Sequence, residues 1–251
     1  MQSTRTLMVV LLCVFALCCA EVVFAADSVM DSQGRTWRVR LAQNPVPGSG
    51  KDVCLYQDGG TVSEYITFDE RRDETPHLYL TPAGAIGVVW SRENSVTGRM
   101  EICTTVYDQE TGVWAYPYTI LTSAQGNVDH LEPRLEVGRS GVAHLVYVVV
   151  KHIEGRDVSS LIYQSKQGGV WSNQETVSGS EEAVSHPELY LGNSDQGYPL
   201  VLVYLSQPQQ NVFGLSKSTS QDTSIKSLMR CGGDPDPWLS MHKHLLPINH
   251  R

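Results

Sequence analysis

Thr75-Pro76-His77-Leu78-Tyr79-Leu80, Glu132-Pro133-Arg134-Leu135-Glu136-Val137 and His186-Pro187-Glu188-Leu189-Tyr190-Leu191 are three versions of one motif. Each is followed by a glycine turn, at Gly84, Gly141 and Gly197, and then by an apolar run ending in an aromatic. Those runs are Val88-Val89-Trp90, Leu145-Val146-Tyr147 and Val201-Leu202-Val203-Tyr204, and the aromatic lies 14, 14 and 17 residues after the proline. A third run follows in each copy, at 102–107, 161–164 and 212–216. In the first two copies a Gly-x-Trp turn then opens a fourth run, at Gly112-Val113-Trp114 and Gly169-Val170-Trp171, both tryptophans 38 residues after their proline. Coincidence does not repeat four landmarks in order.

Upstream lies a degenerate copy. Gly34 leads into Thr36-Trp37-Arg38-Val39-Arg40-Leu41, and Asp52-Val53-Cys54-Leu55-Tyr56-Gln57 resembles the run at 161–164. A fourth run spans 61–68. The glycines at 34, 84, 141 and 197 thus recur every 50 to 57 residues. The runs are short, β-branched and aromatic-rich, with turn residues between them, as in an antiparallel meander. No sustained helical period appears in the mature chain. A β-sandwich would explain the alternation but not the recurring landmarks. The expected fold is therefore all-β: a propeller-like array of about four four-stranded antiparallel blades over residues 26–218. Residues 219–251 are expected to form an irregular tail.

The arrangement resembles the sialidase-like (BNR-type) propeller superfamily over about residues 34–218. Gly34-Arg35-Thr36-Trp37 matches the tail of that family's aspartate-box signature, Ser-x-Asp-x-Gly-x-Thr-Trp, although Ser32 stands where the aspartate belongs. The resemblance implies more blades than four copies supply. The ring is thus expected to be an open arc whose free blade edge favours self-association. It also implies a Tyr nucleophile with a carboxylate partner, an acid/base Asp and a cluster of three arginines. Only Arg134 lies on an inner strand of the repeat, so the clamp of converging cations that a carboxylate substrate needs is missing.

Period-two alternation assigns faces within the motif. Leu78, Leu80, Leu135, Val137, Leu189 and Leu191 are expected in the packing between blades. His77, Tyr79, Arg134, Glu136, Glu188 and Tyr190 have the opposite parity, and none is aliphatic. They are the candidate ligand-binding residues of a polar channel mouth, or else ordinary solvated positions. His242, His244, His250 and Cys231 lack a metal-site spacing, and Asp108 to Gly112 reads as a hairpin turn rather than a calcium loop. No metal or cofactor is expected, and no catalytic set is assigned.

The first residues address the chain for export. Arg5 precedes an apolar run from Leu7 to Ala20, and Val23-Phe24-Ala25 presents small residues for cleavage before Ala26. Glu21 ends the run short of the roughly 20 residues a membrane span requires. Residues 1–25 are expected to be a signal peptide and the protein secreted or periplasmic. The formal charge of −8, without a Lys/Arg cluster, makes nucleic acid and anionic membranes poor partners. Cys54, Cys103 and Cys231 follow the leader, enough for one disulfide at most; a bridge, if formed, would join Cys54 to Cys103, and three free thiols are the other reading. The expected role is binding of a carbohydrate or an extracellular protein. The alternatives are a glycan-active enzyme (sialidase-like glycosidase or polysaccharide lyase) and a truncated propeller fragment without function.

Overall fold

In the computed structural model the described residues are 28–43, 50–57, 62–108, 111–122, 127–179, 182–192, 200–208, 224–230 and 239–240. They form four antiparallel sheets and no helix, arranged as the four blades of a β-propeller. Blade 1 contains β1 (Ser28–Met30), β2 (Thr36–Gln43), β3 (Lys51–Gln57) and β4 (Val62–Tyr65). Blade 2 contains β5 (Asp73–Leu80), β6 (Ile86–Glu93), β7 (Met100–Asp108), β8 (Val113–Trp114) and β9 (Tyr118–Leu121). Blade 3 contains β10 (Val128–Val137), β11 (Ala143–Ile153), β12 (Arg156–Gln167), β13 (Val170–Trp171) and β14 (Glu175–Thr176). Blade 4 contains β15 (Glu182–Leu191), β16 (Leu200–Pro208), β17 (Ser224–Arg230) and β18 (Leu239–Ser240). The Gly-x-Trp turns start the outer strands of blades 2 and 3. Each outer strand is broken in two, since β8 and β9 both pair with β7, and β13 and β14 with β12.

Blade 4 departs from the sequence expectation. Its third strand is β17, Ser-Ile-Lys-Ser-Leu-Met-Arg, with β18 beyond it. Both lie in the stretch expected to be irregular tail. The run at 212–216, expected to be that third strand, lies outside the described residues, as do the signal peptide, Gly197, Cys231 and the tail histidines.

The repeat glycines explain the first turn of blades 1 to 3. Gly34, Gly84 and Gly141 have φ of +76°, +77° and +85°, a region that L side chains rarely enter. In blade 1 that turn is organised by Asp31. Its carboxylate accepts hydrogen bonds from the Gln33 and Arg35 amides (2.9 Å each), Arg35 Nε (2.7 Å) and Trp37 Nε1 (2.9 Å). One residue before the expected box position, Asp31 supplies the acceptor that Ser32 lacks. Although burial raises its pKa, these donors hold Asp31 down to about 2.

The inner strands of blades 2 to 4 each carry a bulge at a proline. The ladder with the second strand shifts register between Glu74 and His77, Leu131 and Arg134, and Ser185 and Glu188. Inside each shift lie Thr75 (φ 46°), Glu132 (φ 51°) or His186 (φ 52°) and the proline that follows it. Proline cannot donate to a ladder, so the chain bulges where it stands.

The blades stack by interlocking apolar faces. Val39, Val53 and Leu55 of blade 1 pack on Leu78, Ile86, Val88 and Trp90 of blade 2. Tyr79, Val89 and Ile102 of blade 2 meet Leu135, Leu145, Tyr147 and Val149 of blade 3. Val146, Val148, Leu161 and Tyr163 of blade 3 meet Val184, Leu189, Leu200, Leu202 and Tyr204 of blade 4. Trp90, Tyr147 and Tyr204 therefore hold one repeat position, all buried against the preceding blade. Among the described residues no comparable packing joins blade 4 to blade 1. No helix there is long and apolar enough to cross a membrane.

Candidate functional site

The six residues singled out by parity lie on inner strands, but most do not face open solvent. His77 pairs in register with Val89, and Tyr79 with Gly87, so both side chains share the face of blade 2 turned to blade 3. Tyr79 is buried, its hydroxyl 3.0 Å from Thr104 Oγ1. Its ring lies flat on Gly87, where an added Cβ would sit 2.1 Å from Tyr79 Cζ. The expectation of a channel-mouth side chain therefore does not hold for Tyr79. Inner-strand residues of either parity point at a neighbouring blade, which period-two reasoning about one strand cannot show.

The remaining five divide by contact. His77 Nε2 lies 3.5 Å from Glu136 Oε1, and Arg134 Nη2 donates to Glu188 Oε1 at 3.2 Å. The side chains of His77 and Arg134 are 9% and 14% exposed, those of Glu136 and Glu188 31% and 30%. Each pair joins successive blades, with the basic side chain buried and the carboxylate half open. Glu132 extends this row by accepting from the backbone N–H of His186. Tyr190, in contrast, is exposed.

A second constellation, absent from the sequence reading, lies where blade 1 passes into blade 2. A cleft of about 390 Å³ is lined by Thr67, Phe68, Asp69, Arg71, Arg92 and Tyr116, among others. Its floor is a charge relay. Asp69 accepts from Arg71 Nε (2.9 Å) and Nη2 (2.8 Å), and Arg92 Nη2 reaches the same carboxylate at 2.5 Å. Arg92 Nε lies 3.5 Å from Asp73, whose Oδ1 accepts from Trp90 Nε1 at 2.9 Å. Burial raises the Asp69 pKa, but the arginines outweigh it and leave the group below the ordinary carboxylate value. Burial prevails at Asp73, pushing it up to about 6 against Arg92 and Trp90. Two exposed aromatics, Phe68 and Tyr116, rim the cleft at 68% and 89% exposure. Phe68 leans on Tyr65 with ring centroids 5.5 Å apart. No repeat landmark marked these residues. The one available signal was Asp69-Glu70-Arg71-Arg72-Asp73, a charged run between two apolar ones.

Cys54 and Cys103 occupy matching positions, opposite Arg40 and Trp90 in their ladders. Both thiols are buried and free, so the two do not form a bridge. Burial pushes Cys54 up to about 11 and raises Cys103 as well.

No protein-family model matches the chain, and no curated protein matches it in sequence. Solved structures do. The α-L-arabinanase of Penicillium chrysogenum, complexed with arabinobiose, superposes with a TM-score of 0.55 at 14% identity, over 85% of this chain and 65% of that one. The GH93 α-L-arabinofuranosidase of Fusarium graminearum, also with arabinobiose, gives 0.56 at 17% identity, over 86% and 64%. The endo-arabinase of Bacteroides thetaiotaomicron gives 0.56 at 11% identity, over 89% and 80%. The chain thus spans just under two thirds of the length of the first two. At these identities the likeness is one of fold.

Proposed function

We propose that this chain is an exported propeller that binds carbohydrate in the cleft between blades 1 and 2. The observation that carries the reading is the pairing of two solvent-facing rings with a charged floor. A sugar offers an apolar C–H face that an aromatic ring covers, and a rim of hydroxyls that need fixed donors and acceptors. Phe68 and Tyr116 supply the first; Asp69, Arg71 and Arg92 supply the second. The solved propellers superposing on the chain include two holding arabinobiose, which makes pentose oligosaccharides the first ligands to try. Calorimetric titration with arabino-oligosaccharides and a wider glycan set tests the proposal. Binding should weaken at least tenfold in Phe68→Ala and Tyr116→Ala, with melting unchanged because both rings are exposed. Binding that survives both substitutions, or no glycan binding at all, contradicts the reading.

One observation favours a glycan-active reading. Glu136 and Glu188, on successive inner strands, are half-open carboxylates, one beside the buried His77 and one held by the buried Arg134, the raw material of acid/base hydrolysis. Reducing-sugar release from arabinan, lost in Glu136→Gln and Glu188→Gln, would support it. The absence of release, with cleft binding intact, would leave a binding protein.

A further inference from the structure

Each junction between blades brings an outer strand of one blade against the next, and the repeat makes the three junctions comparable. Glu64 stands opposite Leu55, Tyr118 opposite Thr104 and Glu175 opposite Tyr163, so the three share one repeat position. Glu64 of blade 1 accepts from the indole Nε1 of Trp114 in blade 2 at 2.9 Å. Glu175 of blade 3 accepts from Arg230 Nη2 in blade 4, at 2.6 Å to each carboxylate oxygen. At both junctions the outer strand thus supplies a carboxylate and the following blade a donor. The middle junction has Tyr118 in place of the glutamate, so its outer strand offers no carboxylate there.

The receiving side of that junction is nevertheless complete. Trp171 pairs with Lys166 as Trp114 pairs with Tyr107, and Lys166 pairs with Ala143 as Arg230 pairs with Leu200. Blade 3 therefore presents an indole where Trp114 stands and a cation where Arg230 stands. The Lys166 ammonium rests 5.6 Å from the centre of the Trp171 ring. Among the described residues neither that ammonium nor Trp171 Nε1 has a hydrogen-bond or ion-pair partner in the protein. Beside them a cavity of about 230 Å³ opens between blades 2 and 3, walled by Ile120, Leu135 and Val137 and lined also by Tyr118. Lys166 is the one charged residue among the described residues that line it. Tyr79 leaves this room by lying flat on Gly87. The nearby hydroxyls are already engaged: Thr104 donates to the Val88 carbonyl at 2.8 Å, so Tyr79 donates to Thr104.

We infer that this cavity binds a small organic acid, whose carboxylate takes the place that Glu64 and Glu175 fill at the other two junctions. Lys166 and Trp171 Nε1 hold the carboxylate, and the apolar walls cover the body of the ligand. Those walls also keep water from the ammonium, which strengthens its attraction for an anion. The site shares no lining residue with the cleft between blades 1 and 2 and does not depend on glycan binding there.

Ligand-observed NMR titration at low ionic strength decides, with sodium benzoate as an apolar acid, sodium galacturonate as a sugar acid and benzamide as the neutral match for benzoate. Saturable binding of at least one acid is expected, and which one binds tells an apolar body from a sugar. Benzamide should bind at least tenfold more weakly than benzoate. Lys166→Met should weaken the acid at least tenfold. Tyr118→Glu, at a position 52% exposed, installs the carboxylate that the other junctions carry and should abolish acid binding, with melting unchanged or higher. Phe68→Ala/Tyr116→Ala, in the other cleft, should bind the acid as the wild type does. No saturable binding of either acid, benzamide binding as tightly as benzoate, or acid binding indifferent to Lys166→Met or Tyr118→Glu overturns the inference. So does acid binding lost in Phe68→Ala/Tyr116→Ala, which would place the acid in the glycan cleft. If one of Lys166→Met and Tyr118→Glu fails to fold, the other alone gives the answer.

Discussion

Two buried aspartates bind tryptophan indoles and respond to pH in opposite senses. Asp31 has a folded-state pKa of about 2, below its ordinary value, so the folded state favours its ionised form. Its contribution is present above about pH 4 and is lost as pH falls toward 2. Asp31→Asn should lower the melting temperature at neutral pH and flatten that acid limb. Asp73 is raised to about 6, so the folded state binds its proton more tightly than the unfolded chain does. Stability should therefore fall as pH rises from about 4 to about 6, by about 2–3 kcal/mol if the whole shift is expressed. Asp73→Asn should remove that decline; a melting-versus-pH profile identical to wild type would show that Asp73 ionises normally. Gly87 is constrained by contact rather than by dihedral. Gly87→Ala would drive a methyl into the Tyr79 ring and should cost about 1–3 kcal/mol in denaturant unfolding, where an open site would gain stability. Cys54 and Cys103, buried with raised pKa values, should not react with a thiol reagent until the protein is unfolded.

Within the elements, the bulged inner strand is the recurring device. It places a residue of positive φ and then a proline at the same point in blades 2, 3 and 4. Thr75, β-branched, is the least suited of the three to that conformation. Thr75→Gly should leave the melting temperature unchanged or higher, since relief of the strained backbone offsets the added chain entropy. A clear drop would show that the Thr75 side chain stabilises the bulge. Much of this level was legible from sequence. The prolines, the turn glycines Gly34, Gly84 and Gly141 and the run-ending aromatics are local requirements of a strand or turn, and they mark the strands they were expected to mark. What escaped was whatever depends on a partner strand or neighbouring blade. β17 looked too polar for a third strand, yet only Leu228 on its rear side packs into the core. Tyr79 looked like a channel residue because one strand's alternation cannot tell which faces other blades cover. The cleft at Phe68 and Tyr116 forms only where a blade-to-blade connection meets the outer strand of the next blade.

At the scale of the whole molecule the described residues form a stack with three apolar blade interfaces, with the exposed Arg38 and Arg40 on blade 1 and the exposed Tyr190 on blade 4. The copy number was readable from the glycine spacing. The difference between the ends was not, because Arg38 and Arg40 look like ordinary solvent-facing strand positions until blades 2 to 4 show what normally stands there. Whether the array is open is measured most directly as the gap between its ends. Nitroxide labels at Arg38→Cys and Tyr190→Cys, in a Cys231→Ser background and diluted with unlabelled protein, report on the rear of blade 1 and the front of blade 4. Packed sheets lie about 10 Å apart, so ring closure would bring the labels together and broaden the continuous-wave spectrum. The open stack predicts no broadening and a long, resolved distance by pulsed dipolar spectroscopy; strong broadening would contradict it.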